Sequence, residues 1–96
     1  MGYNMGEVIY TEQRNSAITR FCNVIINFLD YKLNQGCFRV QELIKLYEVE
    51  HGQKLDKCLF DRAMCLLFHN GYITVSESLF VCKVSDKPLP KLIRVG

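Results

Sequence analysis

Residues 60–73, FDRAMCLLFHNGYI, carry the clearest structural signal in this sequence. Phe60, Met64 and Leu67 recur at helical spacing and predict the buried face of an α-helix. Asn70-Gly71 follows, which is typical of a helix stop, and residues 72–75, YITV, favour a strand. The stretch therefore predicts a helix that passes directly into a β-strand.

The neighbouring segments extend this prediction in both directions. Residues 41–50 have the apolar spacing of a second amphipathic helix, and Asp56 is placed to cap the helix that follows. Residues 37–40 favour a short strand before the second helix, while residues 73–75 and 79–84 flank a turn and predict a β-hairpin. We therefore expect an α+β fold.

A long helix is predicted before these elements, with Thr11 as its N-cap and residues 11–34 as its extent. Its apolar residues cover an arc of roughly 220°, about twice the stripe of an ordinary surface helix. Such a helix is buried from two directions, either by a second subunit or by the N-terminal segment and C-terminal tail of the same chain. We predict a homodimer, whose contact residues are Ala17, Val24, Phe28 and Tyr31.

The chain divides into a central domain and two short flanking segments. Residues 1–10 are an N-terminal arm whose apolar run, residues 8–10, is either flexible or a strand that pairs with another segment. Residues 11–84 form the domain. Residues 85–96 form a basic tail, which Pro88 and Pro90 keep extended rather than helical.

The composition limits the class of protein. A chain of 96 residues with 49% hydrophobic residues is long enough for one domain with a real core. No run approaches the roughly 18 consecutive apolar residues of a membrane span, so we expect a cytoplasmic protein without membrane contact. The chain has two histidines, no Gly-rich phosphate loop and no HExxH motif. We therefore expect neither an enzyme nor a cofactor.

The cysteines leave two alternatives open. Their number is odd and no CxxC pair is present, which favours a reduced intracellular protein that uses cysteine as a small apolar residue. The alternative is one disulfide, within or between subunits. Cys65 and His69 could supply half of a metal site, but nothing nearby in sequence supplies the rest, so no metal is predicted. The five cysteines are Cys22, Cys37, Cys58, Cys65 and Cys82.

From residue 36 to residue 84 the chain resembles the winged helix-turn-helix superfamily, with a short strand, two helices and a two-stranded wing, and the long helix that precedes them also suits this superfamily. Its small size, cysteine content and predicted dimer are similar to winged-helix proteins encoded by archaeal viruses, which would place it in the host cytoplasm. The chain departs from thermophile habit, with many Asn residues and no excess of Lys and Glu. The positions that carry the resemblance are Val40, Leu43, Ile44, Phe60, Met64, Leu67 and residues 71–73.

The resemblance implies sequence-specific binding of double-stranded DNA by a small dimeric transcriptional regulator. The third helix would enter the major groove, and the wing would approach the backbone or minor groove. Arg62 can donate to guanine, Asp61 can accept from a cytosine amino group, and lysines can contact phosphates. From residue 79 onward four basic residues stand against one acid, so we expect wing and tail to anchor the backbone. The predicted DNA-binding residues are Lys54, Lys57, Asp61, Arg62, His69, Lys83, Lys87 and Lys91.

The alternative function is a winged-helix module for protein–protein contact without DNA binding. Cys58, Cys65 and Leu66 make the third helix more apolar than a DNA reader needs. An interaction module would show an exposed apolar patch where a DNA reader shows basic residues.

Overall fold

Helices and short strands alternate along the chain as the local sequence patterns predict, and they form a mixed α+β fold. The computed structural model describes residues 7–11 and 15–94. Within these residues the elements are β1 (Val8–Thr11), α1 (Ser16–Leu33), β2 (Phe38–Arg39), α2 (Val40–His51), α3 (Lys57–His69), β3 (Ile73–Val75), β4 (Phe80–Lys83) and β5 (Lys91–Arg94). The predicted α+β class is confirmed.

The first helix begins later than predicted. Asn15 is its N-cap, and the Asn15 side chain accepts a hydrogen bond from the Ala17 N–H at 2.9 Å. Thr11 instead lies in β1, where it pairs with Arg94. The prediction of Thr11 as N-cap is wrong. Thr and Asn can both cap a helix, and the pairing of the two chain ends places Thr11 in a strand, so Asn15 is the cap.

A three-stranded antiparallel sheet has the order β2-β4-β3. Phe38 lies opposite Val81, so the register brings Cys37 and Cys82 together, and they form a disulfide with Cα atoms 4.5 Å apart. Side-by-side residues of antiparallel strands have this spacing. The prediction of an all-reduced protein is therefore wrong, and the alternative of one disulfide within the chain is correct.

A second sheet joins the two ends of the chain. Strands β1 and β5 pair in parallel, with Ile9 opposite Leu92, and both side chains are buried. Asn23 of α1 binds the backbone of Leu92 twice: its Oδ1 accepts from the N–H at 2.7 Å and its Nδ2 donates to the carbonyl at 3.0 Å. The same chain thus covers α1 from its second direction, which was the alternative to burial by a second subunit.

The core lies where α1 meets α2, α3 and the sheets. The Cys22 thiol of α1 lies 3.9 Å from the Leu59 carbonyl of α3, which places this side of α1 against α3. Apolar spacing explains the inward faces, because residues three and four apart share one side of a helix. The buried residues of the three helices include Ile25, Leu29, Leu43, Tyr47, Phe60, Ala63, Met64 and Leu67.

Candidate nucleic-acid interface

The turn between α2 and α3 is held by a set of local hydrogen bonds. Gly52 ends α2 with a left-handed φ of 64°, and its N–H donates to the Glu48 carbonyl at 3.0 Å. Leu55 is buried, and its N–H donates to Glu48 Oε2 at 3.0 Å. Asp56 caps α3 and accepts from the Cys58 N–H at 2.9 Å, as predicted. The turn therefore holds the two helices in a defined relation.

Three lysines meet in a groove beside this turn. Lys45 comes from α2, Lys54 from the turn and Lys57 from the first turn of α3, and the groove has a volume of about 570 Å³. Lys54 and Lys57 were predicted as phosphate contacts, whereas Lys45 was not among the predicted DNA-binding residues. Lys45 follows Gln41 by four residues, so the two side chains lie on the same face of α2, and both line the groove.

Glu48 also lines this groove. Its side chain is half-buried, and one oxygen is taken up by the Leu55 N–H. The carboxylate therefore shapes the turn, while three cations against one acid leave the groove basic. A groove of this charge attracts phosphate groups.

The outward face of α3 is the one that the sequence predicts. Cys58, Asp61, Arg62, Cys65 and His69 are all exposed. The opposite side of the helix is buried in the core, so the inward and outward orientation is confirmed. Arg62 is the residue of this face whose planar group can donate two hydrogen bonds to a guanine edge.

Lys83 is not available as a DNA contact. Its Nζ lies 2.8 Å from Asp30 Oδ1 and 2.8 Å from Asn34 Oδ1, and its side chain is 6% exposed. Asp30 Oδ1 also accepts from the Leu89 N–H at 3.0 Å. Lys83 therefore ties the hairpin and the tail to α1, which corrects its assignment to the phosphate backbone.

The tip of the hairpin is apolar and acidic rather than basic. Leu79 has a left-handed φ of 64° and is 52% exposed, and Glu77 is exposed beside it. The Arg39 guanidinium lies 5.1 Å from the centre of the Phe80 ring. Because Lys83 is buried at the end of β4, it cannot supply the basic contact through which the wing was predicted to anchor DNA.

Lys87 lies in another groove, which contains Glu7 and Tyr72 as well as the end of α3. The Glu7 carboxylate accepts a hydrogen bond from the Tyr72 hydroxyl, and this bond raises the pKa of Tyr72. A carboxylate beside Lys87 opposes the approach of a phosphate. We therefore leave Lys87 out of the interface.

Lys91 lies on a different side of the molecule from α3. It lines a groove with Arg20 of α1. Arg20 and Cys22 are about 160° apart around the helix axis at 100° per residue, and Cys22 faces α3. Lys91 and the Arg62 face are thus separated by α1, so the tail does not extend the basic surface of α3.

The residues predicted to contact a second subunit are divided between core and surface. Phe28 is 6% exposed, and its ring packs edge-on against Tyr47 with centroids 5.2 Å apart. Its assignment as a dimer contact is corrected, because α2 already covers it. Val24 and Tyr31 are exposed and Ala17 is partly exposed.

The free cysteines do not form a ligand cluster. Cys58 and Cys65 are exposed, whereas Cys22 is buried and burial raises the pKa of its thiol. Residues 7–11 and 15–94 contain no group of three or more His, Cys, Asp or Glu side chains placed to hold a metal ion. In the same residues, no helix is long and apolar enough to cross a membrane.

Comparisons of the chain with protein-family models, with curated proteins and with solved structures give no match.

Proposed function

We propose that this protein binds double-stranded DNA through α2, α3 and the turn between them. The observation that carries the proposal is the lysine groove at the start of α3, formed by Lys45, Lys54 and Lys57. In helix-turn-helix proteins the second helix lies in the major groove with its N-terminal residues at the bases, so cations at its start lie close to phosphates.

The order of the elements supports the same proposal. Helices α2 and α3 are joined by a short turn and are followed by the hairpin β3–β4, while β2 pairs with the other edge of β4. This is the arrangement expected from the resemblance to winged helix-turn-helix proteins. We propose that fold for residues 16–83.

The proposed contacts follow from charge and exposure. The three groove lysines meet phosphates, and Arg62 donates to a base edge in the major groove. His69 lies exposed at the far end of α3, where a ring N–H can donate to a phosphate, and Asp61 accepts from a cytosine amino group. Beside the hairpin, Arg39 of β2, whose guanidinium lies over the Phe80 ring, contributes to the contact in place of Lys83.

A transcriptional regulator is the proposed role, and the homodimer remains a prediction. The arc of apolar residues on α1 is explained by β1 and β5 of the same chain. Val24 at 38% and Tyr31 at 64% exposure remain on its outward side. Light scattering after gel filtration decides: the mass of one chain would exclude the dimer.

The test is a fluorescence anisotropy titration with a random duplex and with the DNA upstream of the protein's own gene, repeated over salt. Lys54→Ala should lower the slope of log affinity against log salt by about 0.9, the value for one phosphate contact. Lys87→Ala removes the same charge outside the groove and should leave the slope unchanged. Arg62→Ala should weaken base preference by about 1–3 kcal/mol at one position. Absence of binding at low salt would overturn the proposal.

A protein-interaction module is the second candidate, because the hairpin exposes apolar side chains. Leu79 is 52% exposed, Phe80 36% and Val84 57%. Apolar residues exposed together are typical of contact surfaces. This candidate predicts no duplex binding at low salt. It also predicts that the protein has a mass above that of one chain in light scattering, and that Leu79→Ser lowers this mass.

A further inference from the structure

A second basic groove lies between α1 and β5. Arg20 of α1 and Lys91 and Arg94 of β5 line it, and its volume is about 380 Å³. Ser16 and Asn27 are exposed polar residues of the same groove. Cations and small polar donors are the groups that contact phosphate and sugar in protein–DNA interfaces.

The fold holds this groove in place. Arg20 and Lys91 are far apart in sequence, and β5 is fixed against α1 because Asn23 binds both backbone groups of Leu92. Two cations brought close together repel each other unless an anion lies between them. The groove thus gathers positive charge on a well-defined part of the surface.

Its charge differs from that of three other grooves in the described part of the chain. The groove beside α3 includes Glu48, the groove beside β3 includes Glu7, and the groove beside the disulfide includes Asp86. None of the described residues that line the α1–β5 groove is a carboxylate. An anion can therefore approach Arg20 and Lys91 without meeting a like charge from these lining residues.

We propose that the α1–β5 groove binds the phosphate backbone of a second DNA duplex, so that one protomer bridges two duplexes. This rests on the proposed function for the first duplex, which α3 and the lysine groove hold. Because Arg20 lies about 160° around α1 from the side that faces α3, the two duplexes approach from different sides. Val24 also lines this groove, so a homodimer through this side of α1 would compete with the second duplex.

The test is a bridging assay with one duplex fixed on beads and a second, fluorescent duplex in solution. Wild-type protein should retain the fluorescent duplex on the beads. Arg20→Ala/Lys91→Ala should weaken capture of the second duplex by on the order of 50-fold near 0.1 M salt, from the loss of two phosphate contacts. Lys87→Ala, outside both grooves, should bridge like the wild type. Bridging by the double variant at the wild-type level would overturn the proposal.

A second variant distinguishes a loss of bridging caused by the changed charge from one caused by unfolding. Asn27 is exposed in the groove, so Asn27→Glu adds a carboxylate without removing a core contact and should also reduce bridging. Circular dichroism melts confirm that each variant is folded. Bridging by Asn27→Glu at the wild-type level would also contradict the inference.

The mass of each protein and the binding of a single duplex separate the remaining outcomes. If the wild type is a dimer and Arg20→Ala/Lys91→Ala is a monomer, bridging comes from two copies of the α3 site and the inference fails. If Lys45→Ala/Lys54→Ala/Lys57→Ala binds a single duplex as the wild type does, while the α1–β5 double variant binds none, the proposed function fails and the groove is the DNA site. A wild type that binds no duplex overturns both.

Discussion

The ion pair between Lys83 and Asp30 predicts a large loss of stability when the carboxylate is removed. The Lys83 side chain is 6% exposed and the Asp30 side chain 28%, and Asp30 Oδ1 accepts from both Lys83 Nζ and the Leu89 N–H. In Asp30→Ala the ammonium keeps Asn34 as its one hydrogen-bond partner among residues 7–11 and 15–94, and the Leu89 N–H loses its acceptor. Breaking a buried pair costs about 3–5 kcal/mol, and the partial exposure of Asp30 places the expected loss near 3 kcal/mol. A loss of that size lowers the Tm by roughly 12–24 °C in a domain of this length.

The assay is urea unfolding followed by far-UV circular dichroism, on a double-mutant cycle. Lys83→Met removes the charge and keeps most of the apolar stem, so it should cost less than Asp30→Ala. The double variant should cost less than the sum of the two, with a coupling of about 1 kcal/mol or more. A loss below about 1 kcal/mol for Asp30→Ala with no coupling would show that the pair behaves as a solvated surface pair and not as a buried one. Lys83→Met should also leave the salt dependence of DNA binding unchanged, and a change there would return Lys83 to the interface.

Two further predictions concern the cysteines. Reduction of the Cys37–Cys82 bond should lower the free energy of unfolding by about 4 kcal/mol, from the entropy of closing a loop across 45 residues, and equal unfolding curves with and without reductant would contradict it. Iodoacetamide should modify the exposed Cys58 and Cys65 of the native, unreduced protein quickly and reach Cys22 only on unfolding, because that thiol is buried and its pKa is raised. Mass spectrometry counts the adducts, and five adducts without reductant would exclude the disulfide.

The helices and the hairpin could be predicted from the sequence because their signals are local. The spacing of Phe60, Met64 and Leu67 fixes which side of α3 is buried, and Asp56 marks its start. The outward orientation of Arg62 follows from the same spacing. Such periodicities act over a few residues, so they are visible without knowledge of the tertiary structure.

The pairings between distant segments could not be predicted in this way. The disulfide depends on the register between β2 and β4, and Lys83 meets Asp30 across 53 residues. The apolar arc of α1 indicated a second covering element correctly, but the sequence does not say that β1 and β5 supply it rather than another chain. The number of basic residues in the tail did not predict a continuous basic surface either, because Lys87 and Lys91 lie in different grooves.

The decisive test of DNA binding through the lysine groove is the salt dependence of duplex binding by the wild type and by Lys45→Ala/Lys54→Ala/Lys57→Ala. If the lysine groove holds the DNA backbone, the wild type binds duplex at low salt, and the slope of log affinity against log salt falls by about 2.7 in the variant, or 0.9 for each lysine. An unchanged slope in a variant that is folded, or a wild type that does not bind duplex at low salt, would contradict the claim.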